Sequence, residues 1–154
     1  METRPIHKPR IFVDADVLFA GAVSPNQHSA SLVILRMSEI TLIEAITSEQ
    51  VIIEVERNLA VKMVEALPAF RLLVQRCLKI VPDPTQDEII AAIYAADRKD
   101  LPILIAAARE NCPYLTTYNI RHFQPGLPGV SVLTPGDLIL RIRYQLANLK
   151  SGEG

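Results

Sequence analysis

RIFVDADVL, residues 10–18, is the stretch on which the fold turns. Residues 10–13 form an apolar, β-branched run that stops at Asp14. So short and unbroken a run, closed by an acid, reads as a strand buried on both faces, the kind found in parallel sheets. Asp14 then stands at the carboxyl end of that strand. Asp16, two residues on, leans the same way if the chain stays extended. Ligands of open parallel sheets bind beyond the carboxyl ends of the strands. A first strand ending in two acids therefore suggests both a fold class and a place for chemistry.

Outward from this strand, apolar spacing alternates between helical and extended. Residues 24–27 read as loop and 29–37 as helix, through Leu32, Val33 and Leu35. A second strand is expected over 41–46. Thr47 and Ser48 then offer N-caps, with Gln50 three residues after Thr47 as in a capping box. Val51, Ile52, Val55 and Leu59 follow at helical spacing, another helix spans about 68–77, and 79–81 is extended. Thr85 and Glu88 make a second capping box, with Ile89, Ile90 and Ile93 as the apolar face of that helix. Asp100 precedes Leu101-Pro102, and proline is tolerated in a first helical turn. Residues 114–117 and 130–133 read as strands around the turn cluster Pro125, Gly126, Pro128 and Gly129. Thr134-Pro135-Gly136-Asp137 opens a last helix ending near 149, before a loose SGEG tail. Strands alternating with helices imply right-handed βαβ units. The expectation is an α/β fold: a three-layer α/β/α sandwich around a mostly parallel sheet of four to five strands. It forms one domain over 1–154, with its core at about 10–149.

Composition agrees. Of the 154 residues, 49% are apolar but only 5% aromatic, with no Trp, so the core must be aliphatic. No apolar run approaches the roughly 18 residues that cross a bilayer, and the amino terminus shows no secretory pattern. Cys77 and Cys112 lack metal-ligand spacing, which fits a reduced cytoplasmic protein and argues against structural zinc. A net charge of −1 excludes nucleic-acid binding by a broad basic surface. Contact with a polyanion must come from local basic residues or from cations held by acids.

The acids supply such a place. Asp14 and Asp16 follow the first strand, Glu54 lies at the margin of a helix's apolar stripe, and Asp100 opens a helix. Converging carboxylates repel one another unless a cation neutralises them. Hard oxygen donors favour Mg2+ or Mn2+ over zinc. Such an ion activates water and stabilises charge on an attacked phosphate, so no nucleophilic side chain is needed.

The motifs VDADVL at 13–18, E-V-x-x-x-L at 54–59, DLPILIAAA from Asp100 and YLTTYNIRHF from Tyr114 together resemble the PIN-domain family. They are more specifically similar to its bacterial toxin–antitoxin (VapC-like) subset. The resemblance spans about residues 10–140, and its motifs are specific as an ordered set rather than singly. It implies a metal-dependent ribonuclease acting on an RNA substrate, often a homodimer, inhibited by a protein antitoxin. By position it implies Asp14, Glu54 and Asp100 as the catalytic, metal-binding acids. Two positions depart from the family pattern. Asp16 stands where the opening motif usually has Asn, and Asn119 stands at the fourth acid. Asn119 can still ligate through its carbonyl oxygen, and Asp16 restores the lost charge. Both join the expected metal shell.

Blander readings stand beside these. Asp14 can be a turn residue, Asp100 a simple N-cap and Glu54 a solvated helix residue. Asp97 reads as a helix-end surface acid, with a place in the outer shell of the metal site as the alternative, Asp83 as a loop charge, and Asp137 as the partner of Thr134 in a cap. Thr117, Arg121 and His122 are candidate nucleic-acid contacts, weighed against a strand-end hydroxyl and a solvated loop pair. His7 and His28 show no ligand spacing. The run Arg4, His7, Lys8 and Arg10 is basic but terminal. Two other functions compete. Asp14-Ala15-Asp16 imitates a haloacid-dehalogenase-like phosphatase with Asp14 as nucleophile, although Leu18 and the lack of a later Lys with an acidic pair oppose it. A catalytically inactive PIN-like scaffold that binds RNA or a protein partner draws its support from Asn119.

Overall fold

The computed structural model describes residues 8–24, 26 and 29–151. Arg4, His7, His28 and most of the SGEG tail lie outside the described residues, so the readings made of them have no structural counterpart here.

Five strands, β1 (Arg10–Val13), β2 (Glu44–Ser48), β3 (Leu78–Val81), β4 (Tyr114–Thr116) and β5 (Ser131–Leu133), form one sheet in the order β3-β2-β1-β4-β5. Every pairing is parallel. The chain steps outward from β1 to β3 on one side. It then returns to lay β4 and β5 on the other side, so the direction of winding reverses between β1 and β4. Helices α1 (Ala15–Val23), α2 (Ala30–Glu39), α3 (Glu49–Lys62) and α4 (Leu67–Cys77) make the first two crossovers. Helices α5 (Gln86–Ala91) and α6 (Leu101–Arg109) make the return. Right-handed crossovers put these two groups on opposite faces of the sheet. Accordingly α1 packs on α2 and α3, α5 packs on α6, and α7 (Pro135–Ser151) packs on α2.

The core is aliphatic, as expected. Ile11, Phe12 and Val13 of β1 are fully buried and pack with Val51, Val55 and Leu59 of α3 and with Leu101 and Leu104 of α6 in one cluster. Ala106 and Ala107 are buried too, letting α6 lie close to the sheet. No helix among the described residues is long and apolar enough to cross a membrane.

Four local expectations need correction. The chain does not stay extended after Asp14: Asp14 is the N-cap of α1, and Asp16 lies in its first turn. The second strand begins at Glu44 rather than 41. Thr41, at a positive φ of 68°, closes α2, and Leu42 N–H bonds back to the Met37 carbonyl. Thr47 caps nothing, because its hydroxyl is buried within β2 and donates to the Val13 carbonyl at 2.9 Å. The Gln50 N–H of α3 is instead met by Asp83 Oδ1 at 3.0 Å, which gives that loop acid a capping role. Finally, the Thr85–Glu88 capping box forms, but α5 ends at Ala91, and Ile90 and Ile93 are 64% and 56% exposed. They are not the buried face of a helix.

Candidate metal centre at the carboxyl edge of the sheet

The last paired residues of β1 and β4 are Val13 and Thr116, so the register brings Asp14 and Thr117 side by side just past the sheet. The Asp14 N–H continues the ladder to the Thr116 carbonyl at 3.1 Å. Asp14 is only 5% exposed. One carboxylate oxygen accepts from Ala15 N–H at 2.7 Å and the other from the Thr117 hydroxyl at 2.8 Å. This is the crevice between β1 and β4, where the winding reverses and open α/β sheets take their ligands.

Asp16 turns toward the same place from the first turn of α1. Its Oδ2 accepts from Tyr118 N–H at 2.9 Å and from Asn119 Nδ2 at 3.3 Å. Thr117 Oγ1 in turn accepts from Asn119 N–H at 3.1 Å. The loop after β4 is therefore wrapped onto the two acids that follow β1. In this arrangement Asn119 holds Asp16 through its amide group.

Asp100 arrives from the other face, at the start of α6. Its backbone occupies the N-cap position, yet its side chain caps no helical N–H. The carboxylate instead meets His122 Nδ1 at 3.2 Å and is 15% exposed. Asp97 precedes it by one turn, its carbonyl accepting from both Asp100 and Leu101 N–H at 2.9 Å. Asp97, Asp100 and His122 each place a ligand atom within 4.8 Å of the other two. Glu54 sits at the margin of α3's buried stripe, between Val51 and Val55. Asp14, Asp16, Glu54, Asp97, Asp100 and Asn119, with Lys99 and His122, line one cleft of about 220 Å3. A larger cleft of about 870 Å3 lies at the opposite, amino-terminal edge among Arg10, Glu44 and Lys79, away from these acids.

The five residues expected to form a metal shell thus share one cleft. Thr117 is buried behind it, bonded to Asp14, and Arg121 lies on its flank with His122. Asp97, expected at the surface or in the outer shell, and Lys99, for which the sequence suggests no role, also line the cleft. The signal for Asp97 was its spacing of three residues from Asp100, which puts two acids on one turn. His122, read only as a nucleic-acid contact, pairs with an acid.

Burial raises the Asp14 carboxyl to about 7, with the neighbouring Asp16 charge adding to the effect and the Thr117 bond opposing it. Burial also raises Asp16 and Asp100, the latter opposed by His122 and Lys99. Carboxyls crowded together with raised affinity for protons must take up protons or another positive charge. The donors present are hard oxygens with one imidazole, a set suited to Mg2+ or Mn2+ and unlike the sulfur-rich sites of structural zinc. The residues fit a divalent cation.

Residues 10–121 match a protein family described as the PIN domain. Among solved structures, PAE2754 from Pyrobaculum aerophilum is similar, with a TM-score of 0.60 and 19% sequence identity. The alignment covers 88% of this chain and 96% of that one, and at this identity the likeness bears on fold. No curated protein matches the sequence.

Proposed function

Because this chain belongs to the PIN-domain family, whose members are generally nucleases, we propose that it is a ribonuclease hydrolysing RNA phosphodiester bonds with Mg2+ or Mn2+. The observation that carries the reading is the shared cleft of Asp14, Asp16, Glu54 and Asp100, fed from three different elements. Asp14, Glu54 and Asp100 would hold the ion, with Asp16 and Asn119 completing the shell and Asp97 and His122 at the flank. When bound, the cation supplies Lewis acidity and lowers the pKa of water.

The chain's own residues do the positioning. Thr117 donates to Asp14 and fixes that carboxylate's rotation, as outer partners of metal ligands do. Tyr118 N–H and Asn119 Nδ2 hold Asp16. His122 orients Asp100 through the 3.2 Å contact of its Nδ1 with that carboxylate. Lys99 on the cleft wall and Arg121 beside it offer positive charge to flanking phosphates.

The motif resemblance further supports a toxin's role, with a protein antitoxin as partner and a homodimer as the working form. A small adjacent gene encoding a DNA-binding protein that co-purifies with this chain and silences it is the expected finding. Failure of any such protein to bind would remove the toxin role and leave the nuclease reading intact. The nuclease reading is tested by incubating single-stranded RNA with the chain and Mn2+. Cleavage should appear, vanish with chelator, and fall at least a hundredfold in Asp14→Asn and Asp100→Asn. RNA binding without cleavage would favour the inactive scaffold, for which Asn119 at the fourth acidic position is the supporting observation.

A further inference from the structure

Tyr118 combines features that the metal centre does not require. Its phenol hydroxyl shares a 2.7 Å hydrogen bond with Ser31 Oγ, a fully buried group at the start of α2. Its backbone N–H is fixed by Asp16. Yet the residue is 49% exposed. A tyrosine tethered at both ends but half open to solvent keeps a rigid aromatic surface on offer, with little conformational entropy to lose when something lies on it.

The surroundings suggest what lies there. Tyr118, Asn119, Ile120, Arg121 and His122 line a cleft of about 260 Å3. Asn119 and His122 also line the acidic cleft, so the two adjoin. Arg121 is exposed and forms no side-chain bond among the described residues. One planar ring and one uncommitted guanidinium beside a phosphodiester-cleaving centre match one nucleotide: a base for the ring, a phosphate for the cation. In a chain with no Trp and a net charge of −1, this pairing is not supplied by a generally aromatic or basic surface.

Resting on the nuclease reading, we infer that Tyr118 and Arg121 form a subsite for the nucleotide next to the scissile phosphate, its base stacked on the Tyr118 ring and its phosphate met by the Arg121 guanidinium. Bases within a duplex are already stacked on their neighbours and cannot lie on a side chain without being pulled out.

The test is binding rather than cleavage, in full-length chain carrying Asp14→Asn so that the RNA persists. The probe is a short single-stranded RNA containing 2-aminopurine, whose fluorescence falls when the base stacks. Quenching is expected. Adding Tyr118→Ala should abolish the quench and weaken binding about 5- to 150-fold, the range for losing one stacked base. Tyr118→Phe, which keeps the ring, should retain most of both. Ser31→Ala, which frees the hydroxyl without touching the ring, should fall between them. Binding of the matching duplex should be the same with and without Tyr118→Ala. Equal single-strand affinity and quench in Tyr118→Ala would overturn the subsite, as would an equal loss for the duplex. Either result, alongside Mn2+-dependent cleavage by the unsubstituted chain, removes only the subsite, whereas an unsubstituted chain that neither binds nor cuts RNA removes the nuclease reading with it.

Discussion

Thr117 has one hydroxyl proton, and it goes to Asp14 at 2.8 Å rather than to Asp16, whose oxygens lie at 3.3 and 3.4 Å. That choice sets which carboxylate is held in a fixed orientation. Thr117→Val keeps the shape and removes the proton, so Mn2+ affinity measured by titration calorimetry should drop about 10- to 100-fold, the usual effect of losing an outer partner of a metal ligand. Unchanged affinity would reduce Thr117 to a strand-end hydroxyl. Thr116, its neighbour, has a buried Oγ with no partner among the described residues. Thr116→Val should therefore raise stability in denaturant titration by about 1 kcal/mol, where a decrease would reveal a missed partner. At this scale the candidate acids were legible in the sequence because each one interrupts or borders an apolar pattern. The Asp100–His122 pair was not, since a histidine 22 positions from its partner leaves no mark in local periodicity.

Among the elements, α6 brings Asp100 to the site. It is buried from Leu101 to Ala107 except at Pro102, and it presents Asp100 from the face opposite α1. Leu104→Ala should cost about 2–5 kcal/mol in thermal or denaturant unfolding. It should also lower metal affinity through displaced α6, an effect that an equally destabilising change remote from the cleft would not produce. β1, α3 and α6 were legible because their apolar spacing follows the surface that they bury. The misreadings fall where short-range chemistry competes. At α1, whose buried residues mix Ala15, Val17, Leu18 and Gly21, no polar face marked the helix. At Thr47 the side chain found a neighbouring strand's carbonyl in preference to its own helix. At α5, three isoleucines imitated a core face, but the helix is one of the shortest and buries none of its residues.

For the whole molecule, the crowding of acids around buried Asp14 couples folding to pH and to cations. Asp14 goes from an ordinary 3.8 to about 7 on folding. A raised acid of this kind favours the folded state most below about 4, and that contribution is lost as pH rises through 7. The metal-free chain should therefore melt at a lower temperature at pH 8 than at pH 5, with Asp14→Asn flattening the slope. Mn2+ binds the ionised form, so its stabilising shift should run the other way and be larger at pH 8. Equal Mn2+ shifts at both pH values would argue against ligation by the buried acids. The topology itself explains why residues 14, 16, 54, 100 and 119 meet: an all-parallel sheet sends the segments that leave its strands to its carboxyl edge, and the reversal of winding between β1 and β4 opens a crevice there. The most direct test is a crystal of this chain grown with Mn2+ and mapped by anomalous scattering. A manganese peak is expected within bonding distance of carboxylate oxygens of both Asp14 and Asp100, while a peak elsewhere, or none at saturating Mn2+, would contradict a metal centre in this cleft.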